Sequence, residues 1–436
     1  MSRIQDLSQR ELALLALLRQ QPLTRQQLGE RLGLSASSIS RLLEPMQTSD
    51  LVRQAKPSPA QADASTKAGR PALLLRPNPS IAYGIGLDVG ASCSRFVVTD
   101  FAGQIIAKHK EPTRQFRDNR EFNGYLEDLG ARALASVYAQ RSQVVGVVAA
   151  ISGIVNSNAG LCLFCPNIPG PVNIPVTATL EKSLGYPARV EDPARMQGLA
   201  ESRYGVAKGA SDFIYIHIGI GVGSGVFLGG KLLQGAIGIA GEIGHTLVGE
   251  DGPRCNCGNR GCLEAYVSGP ALVRRAREGL ERGIYTRLSN VAGRDYAGLT
   301  VEAINKAAIE GDKMAFHIID EAGERLGIAI ATAVNLFGCP LVVIGGGVSN
   351  LCDVFYQAAE RSMRMRALAM VSPYITIKRS TLDTFAAAWG AATAAIDSAL
   401  PPIDCAQVAD VPADDVGGQR RAGAIVGIGY QLGGRG

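Results

Sequence analysis

The sequence predicts an α/β protein preceded by a separate helical module, on three observations. From Tyr83 to about residue 400, short apolar runs such as Ile85–Leu87, Val144–Ala149, Phe213–Ile218 and Leu341–Ile344 alternate with longer stretches of helical periodicity, as in a layered α/β architecture. Residues 7 to about 55 are helical in pattern instead. The prolines at 77 and 79 punctuate the change and set a domain boundary near residue 80. A chain of 436 residues is expected to form roughly three compact units at about 100–200 residues each. The expected units are 1–80, 81–200 and 201–400, with a tail over 401–436. That tail is rich in Gly, Asp and Ala and is expected to be poorly ordered, although its Ala424–Leu432 is apolar enough to dock.

Composition narrows the class. Apolar residues make up 46% and charged residues 19%, a globular balance. The net charge is +5, and it is unevenly placed: residues 1–80 hold 11 Lys and Arg against 6 Asp and Glu, and the remainder is balanced at 33 each. A polyanionic partner is therefore expected at the N-terminal module. No basic start with an apolar run and a small-residue cleavage site is present, so the expected location is the cytoplasm. Two long uncharged stretches read as soluble structure rather than membrane spans. Phe213–Gly230 carries six glycines and His217 among β-branched residues, which suits two strands and a turn. Leu326–Cys352 is broken by Pro340 and Gly345 to Gly347 into a helix, a strand and a loop.

In the first segment, Leu12, Leu14, Leu15, Leu17 and Leu18 give one helix an apolar face, and Thr24-Arg-Gln-Gln27 forms a capping box opening a second. Gly33-Leu34 makes a tight turn, and Ser35 caps a third helix. Ile39, Leu42, Leu43 and Met46 turn one side of that helix inward and leave Ser37, Ser38, Ser40 and Arg41 outward. A slim face of hydroxyls and an arginine suits entry into a DNA major groove. Arg25 and Ser35 at the neighbouring helix starts complete the expected contact set. The alternative is a helical hairpin that binds protein. Pro45 lies inside the third helix, where its ring meets the carbonyl of Arg41, so an early end or a kink is expected there. A polar loop over 56–68, then Ala68-Gly-Arg-Pro71 and a strand-like Ala72–Leu75, form a candidate wing. Arg70 at its tip is placed to enter an A·T-rich minor groove.

The most specific pattern is Ala240-Gly-Glu-Ile-Gly-His245, nine residues, then Cys255-x-Cys257-x4-Cys262-Leu-Glu264. Three thiolates and one imidazole (His245, Cys255, Cys257, Cys262) complete a closed tetrahedral shell for Zn2+, with no place left for a catalytic water. The expected zinc is structural. Nine cysteines, an odd number with three packed into eight residues, suit a cytosolic metal site better than a disulfide framework.

The run from Gly219 to Gly269, with Gly-Glu-Ile-Gly-His and Cys-Leu-Glu-Ala-Tyr-Val-Ser-Gly inside it, resembles the ROK family of repressors, open reading frames and kinases. The segment Leu23–Val52 likewise resembles the helix-turn-helix of winged-helix regulators. The family resemblance implies an actin-like (ribonuclease H-like) two-lobed sugar-kinase fold behind an N-terminal winged helix-turn-helix. It implies that Glu242, His245 and Glu264 bond sugar hydroxyls, with Gly153 and Asn167 on the opposite side of the sugar. Asn167 reads equally as a simple turn residue. Asp88-Val-Gly90-Ala-Ser92 is similar to the family's Asp-x-Gly-Gly-Thr phosphate loop, and Gly345, Gly346 and Gly347 to its nucleotide-side glycine loop. Both sets also serve as tight turns.

Sugar phosphorylation needs a carboxylate to accept the hydroxyl proton. Where family kinases carry Val-Glu-Asn-Asp-Ala-Asn, this chain reads Val190-Glu-Asp-Pro-Ala-Arg195, so Pro193 stands at the position of the catalytic Asp. Asp192 is expected to bind sugar. A one-residue shift would restore it as a base, and Arg195 is a candidate positive charge near the pocket. The resulting expectation is a sugar-responsive regulator, most simply a repressor, that acts as a homodimer or tetramer on a palindromic operator. Its ligand is a sugar or sugar phosphate, and ATP is not expected to serve. The rival is an ATP-dependent hexose or amino-sugar kinase with an accessory DNA-binding module.

Overall fold

The computed structural model describes residues 4, 6–55, 73–168, 170–293 and 295–400. The loop with Arg70 and the tail over 401–436 lie outside the described residues. Helix α1 (Gln9–Gln20) starts at a capping box of Ser8 and Glu11, and α2 (Arg25–Leu32) at one of Thr24 and Gln27. Gly33 ends α2 with φ of +64°, a conformation that suits a residue without Cβ. Ser35 accepts from the Ser38 amide and opens α3 (Ala36–Thr48). That helix runs through Pro45 to Thr48 instead of stopping there. Pro45 sits on the solvent side, so the carbonyl it deprives of a bond is open to water, while buried Leu43 and Met46 hold the turn to the core.

Strands β1 (Val52–Ala55) and β2 (Leu74–Pro77) pair antiparallel, Val52 opposite Pro77. The second strand lies two residues beyond the expected Ala72–Leu75, in the register this pairing sets. Pro77 fits there because it ends a strand of a two-stranded ribbon, where a missing N–H costs little.

Helix α1 departs from a one-sided amphipathic pattern: every residue from Ala13 to Leu18 is buried. It is covered on two sides. One cluster joins its leucines to Leu28, Leu32, Ile39, Leu43 and Met46 of the module and also to Phe101, Val145 and Ile396 of the following domain.

The rest of the chain contains two five-stranded sheets built to one plan. The first has the order β10-β6-β3-β4-β5, from β3 (Tyr83–Val89), β4 (Cys93–Asp100), β5 (Ile105–Pro112), β6 (Val144–Ile151) and β10 (Ala188–Glu191). The second has the order β13-β12-β11-β14-β15, from β11 (Phe213–Ile218), β12 (Val222–Leu228), β13 (Lys231–Leu232), β14 (Leu341–Gly345) and β15 (Thr376–Arg379). In each, three strands run antiparallel through hairpins, and the fourth and fifth add in parallel on the other side of the first. A small sheet of β7 (Ile154–Asn156), β8 (Leu161–Phe164) and β9 (Val172–Ile174) is inserted before β10. Strands β3 and β6 are buried at every position, as a strand covered on both faces must be. Helices α4 (Asn119–Ala135) and α5 (Val176–Leu184) cover one face of the first sheet.

Two helices cross between the sheets. Helix α6 (Pro193–Tyr204) leaves the first sheet and packs on β11 and β12 of the second. Helix α12 (Ala386–Ser398), the last described, leaves the second sheet and packs on β3, β4 and β6 of the first. Between them come α7 (Glu264–Val267), α8 (Gly269–Glu281), α9 (Val301–Ile309), α10 (Lys313–Phe337) and α11 (Asp353–Arg366) around the second sheet. Helices α6 and α12 pack against each other, and glycine makes the approach possible. A Cβ on Gly390 would collide with the Met196 carbonyl, and one on Gly86 or Gly84 with the Ala388 or Ala392 carbonyl. Trp389 stacks on Tyr204 at 4.0 Å between ring centroids. No helix among the described residues is long and apolar enough to cross a membrane.

Replacing Gly86 or Gly390 with valine is expected to cost about 3 kcal/mol, since backbone blocks the added methyls and only a shift of α12 would relieve them. Gly124 of α4 is exposed with no atom near its absent Cβ, so Gly124→Ala is expected to gain about 1 kcal/mol from helix propensity alone. Urea unfolding followed by circular dichroism checks both signs.

Candidate functional site

A cleft of about 710 Å3 opens where the two sheets face each other. Its first wall comes from the β3–β4 hairpin. Asp88 lies opposite Arg95 in the strand register, and the two form an ion pair at 2.9 Å. The turn between them brings Gly90 and Ser92 to the wall, and Ser152 and Gly153 join it from the end of β6. Gly153 has no room for a side chain, because a Cβ there would run into the Phe164 carbonyl and the sulfurs of Cys162 and Cys165. Asn167 reaches the cleft from the loop after β8, and its Oδ1 accepts from Asn256 Nδ2 at 3.4 Å.

The start of α6 forms the floor. Asp192 is its N-cap and accepts from the amides of Ala194 at 2.8 Å and Arg195 at 3.2 Å. Pro193 occupies the first helical position, where a ring fits and no N–H is missed. Arg195 stands just behind the cleft lining, where its charge acts on Asp192 and Glu242. Its guanidinium is buried outside the cleft lining, donates to the carbonyls of Gly238 and Ala240, and lies 3.6 Å from Glu191. One helical turn sets this direction: a residue two places into α6 points away from the face that Asp192 and Gln197 present to the cleft.

The far wall holds Glu242, His245 and Glu264. Glu264 Oε2 accepts from the Val222 amide at 2.9 Å, so β12 fixes its direction. Gly346 and Gly347 line the cleft beyond them, whereas Gly345 lies inside β14 against the Tyr215 hydroxyl and does not. Sequence reasoning missed Arg95, Gln197 and His217, which also line it. Pairing β3 with β4 through the Gly90–Ser92 turn would have placed Arg95 opposite Asp88. Nothing local marked Gln197 or His217. Gln197 Oε1 and His217 Nδ1 are buried without hydrogen-bond partners.

Burial dominates the electrostatics. It pushes Asp88 up to about 6 against the pull of Arg95, and Asp192 up to about 6 against the pull of Arg195. Glu242 rises to about 7 through burial and the nearby Asp192 charge. Burial lowers His217 to about 4, so its ring is neutral near pH 7. The cleft thus gathers carboxyl acceptors whose ionisation burial disfavours, suited to hydroxyl groups.

Beside this wall, the donor atoms of His245, Cys255, Cys257 and Cys262 all lie within 4.8 Å of one another. Cys255 Sγ is 3.7 Å from His245 Nδ1, and Cys257 Sγ is 3.7 Å from Cys262 Sγ. A tetrahedral ion with metal–sulfur bonds of about 2.3 Å has sulfur–sulfur edges of roughly 3.8 Å, so the four residues fit a metal. Gly258 and Gly261, with φ of +99° and +72°, bend the chain so that the cysteines converge.

The helix-turn-helix presents a second candidate surface. Arg25, Ser35, Ser37, Ser40 and Arg41 are exposed and Ser38 is half-buried. The Ser35 hydroxyl is engaged as the α3 cap and sits 2.9 Å from the Ser37 and Ser38 hydroxyls, while Arg25 donates to Gln47 at 3.3 Å.

The raised carboxyls have a stability consequence. Each binds its proton more tightly folded than unfolded, so the stabilisation is full below pH 4 and is lost as pH rises through about 6 to 7. The melting temperature is expected to fall from pH 6 to 8.5. An Asp192→Asn/Glu242→Gln variant, isosteric and uncharged, is expected to melt a few degrees higher than the parent at pH 8 with a flatter profile. A parent profile that rises across this window would contradict the assignment.

Comparison with known proteins places these features. The ROK family model matches residues 84–398, and the MarR family model matches residues 5–62. The chain is 28% identical over 335 residues to the xylose repressor of Caldicellulosiruptor bescii, covering 77% of this chain and 83% of that one. It is 30% identical over 307 residues to a glucokinase of Halalkalibacterium halodurans, covering 70% and 92%. The crystal structure of a ROK family transcriptional regulator, a homologue of the Escherichia coli MLC protein, superposes with a TM-score of 0.75 at 26% identity, covering 90% of this chain and 96% of that one. A winged helix-turn-helix of MarR type joined to an actin-like sugar-kinase fold, with a family match over most of its length, makes this chain a member of the ROK family.

Proposed function

We propose that the protein is a sugar-responsive DNA-binding repressor. One observation carries the reading: the helix that starts in the cleft is joined at its far end to the DNA-binding module through one shared carboxylate, Asp397. Asp192 caps α6 in the cleft, and twelve residues later α6 ends at Tyr204. Near that end Arg203 donates to Asp397 of α12 at 3.3 Å, and Asp397 also pairs with Arg19 of α1. Arg19 further donates to the Phe101 carbonyl at 2.8 Å and lies over the Phe101 ring. A sugar that closes the lobes moves α6 against α12, and this charge cluster passes the motion to α1. Recognition helices of a dimer must lie about 34–36 Å apart to read successive major grooves of a palindromic operator, so a small rotation is enough to change affinity.

Within the cleft, Asp192, Glu242 and Glu264 accept from sugar hydroxyls, with Asn167 and the Gly153 turn opposite. His245 gives Nδ1 to a structural zinc together with Cys255, Cys257 and Cys262, leaving Nε2 for a hydroxyl. Catalysis is not assigned: Pro193 has no acid group, and Asp192 is committed to capping α6. Similarity to a glucokinase keeps phosphorylation as the reading to exclude. In this proposal Arg25, Ser37, Ser38, Ser40, Arg41 and Arg70 serve DNA, and the remnants Gly90, Ser92, Gly346 and Gly347 serve as turns, with Asp88 and Gly345 in the strands beside them.

The full-length protein is expected to shift a fragment from its own upstream region, with affinity falling steeply between 50 and 200 mM salt, and more weakly as Arg41→Ala. Thermal shift with a panel of sugars and sugar phosphates is expected to give a hit that Glu242→Ala removes. The same sugar with ATP is expected to give no sugar phosphate. With Asp397→Ala, sugar and DNA still bind but the sugar no longer alters DNA affinity. No shift on any genomic fragment at low salt would remove the repressor reading, and rapid sugar phosphate formation would replace it with a kinase.

Zinc is expected at one ion per chain by elemental mass spectrometry. Cys257→Ser is expected to lower that content well below one and to cost several degrees of melting temperature, because metal binding is part of the folding free energy. A fully loaded Cys257→Ser protein would contradict the ligand set.

A further inference from the structure

We propose that Arg195 is a positioning residue that builds the Glu242 wall of the cleft before any ligand arrives. The loop over 234–242 comes from the second sheet and ends at Glu242, yet its fixings lie largely elsewhere. Arg195 Nη1 donates to the Gly238 carbonyl at 2.8 Å, and Nε and Nη2 both donate to the Ala240 carbonyl, at 3.1 and 2.6 Å. One carbonyl gripped by both edges of the fork and a second by the remaining nitrogen define a geometry that only a planar guanidinium supplies. The loop is shaped to match. Gly235, Gly238 and Gly241 have φ of +73°, +71° and +94°, and Gly241 is pinned in turn, its carbonyl accepting from the amide and the hydroxyl of Ser224 at 3.1 and 2.7 Å.

The charge on Arg195 is balanced beneath the loop. Arg195 is 1% exposed and Glu191, 3.6 Å away, is 2% exposed. Glu191 also accepts from Ser157 of the β7–β8 turn at 2.8 Å and from Gln234 at 2.9 Å. Asn158 of the same turn donates to the Ala236 carbonyl at 3.1 Å. Residues from β10, α6 and the β7–β8 turn thus clamp a loop that belongs to the opposite sheet. A buried guanidinium with every nitrogen bonded is costly to disturb, because removing one partner strands the others, so the clamp holds one geometry. Kinases of the resembling family carry an asparagine at this position, too short to reach two carbonyls and a carboxylate.

The proposal deepens the sugar-pocket reading, and its first test does not depend on it. Arg195→Lys keeps the charge opposite Glu191 and loses the fork; Arg195→Gln loses both. Hydrogen exchange of the full-length, ligand-free protein is the readout. With Arg195→Lys, amides of 234–242 are expected to exchange about tenfold faster, while those of α3 and of the β3–β6 core keep the parent rates. Unchanged exchange in 234–242, or a rise spread over the whole chain, would overturn the proposal. If Arg195→Gln does not fold, Arg195→Lys alone decides.

The second test uses D-xylose, D-glucose and N-acetyl-D-glucosamine in titration calorimetry. For any of these that the parent binds, Arg195→Lys is expected to weaken affinity about tenfold, the equivalent of one lost buried bond. In a Glu242→Ala background the same change is expected to cost nothing further, because Arg195 acts through Glu242. Losses that simply add would overturn the positioning role. If the parent binds none of the three, the pocket reading is weakened, and the exchange result still decides Arg195.

Discussion

The close crossing of α6 and α12 is the contact on which the rest of the structure depends. Each helix follows one sheet and packs on the other, so the two lobes share a hinge made of helices rather than a flexible linker. Glycine at 390 removes the atoms that would hold α12 away from α6, and glycines 84 and 86 of β3 do the same between α12 and the first sheet. The crossing also sets the geometry of both functional regions. It puts the capped end of α6 in the cleft, and it places Asp397 where Arg203 and Arg19 meet it. Because α1 is buried from two sides, the DNA-binding module is packed on the first lobe as part of its core.

The cleft gathers acidic groups that each resist ionisation. Asp88, Asp192 and Glu242 are all raised by burial, opposed by Arg95, by Arg195 and, at Asp192, by the amides of Ala194 and Arg195. Such a site is destabilising when empty and gains most from a ligand that donates many hydrogen bonds, which describes a polyol. The cysteine group adjoins the same wall, since His245 belongs both to the cleft and to that group.

Several elements were legible in the sequence because their signals are local. Thr24 and Gln27 form the capping box their spacing announces, and Ile39, Leu43 and Met46 are buried as their periodicity requires. The spacing of His245, Cys255, Cys257 and Cys262 brings four ligand atoms together in the fold. Other readings failed for identifiable reasons. Pro45 did not end α3, because packing of Leu43 and Met46 outweighs one missing bond at a solvent-facing turn. Nothing local showed that the guanidinium of Arg195, whose charge acts on Asp192 and Glu242, would be taken up by the carbonyls of Gly238 and Ala240, forty residues further on. Arg95 and His217 became cleft residues only when the strands carrying them were placed in register.

By itself the sequence determined what each short segment can be: which residues cap helices, which cysteines can gather with a histidine, and that proline stands at 193. Those properties depend on backbone preference and ligand chemistry within a few neighbouring residues. The tertiary structure decided which of these segments meet. The sharing of one core by the DNA module and the first lobe, the swap of α6 and α12 between sheets, and the burial that raises three carboxyls all come from contacts between residues far apart in the chain. No pattern within a segment encodes those contacts, because their energies come from shape and desolvation that exist only once the two sheets have packed.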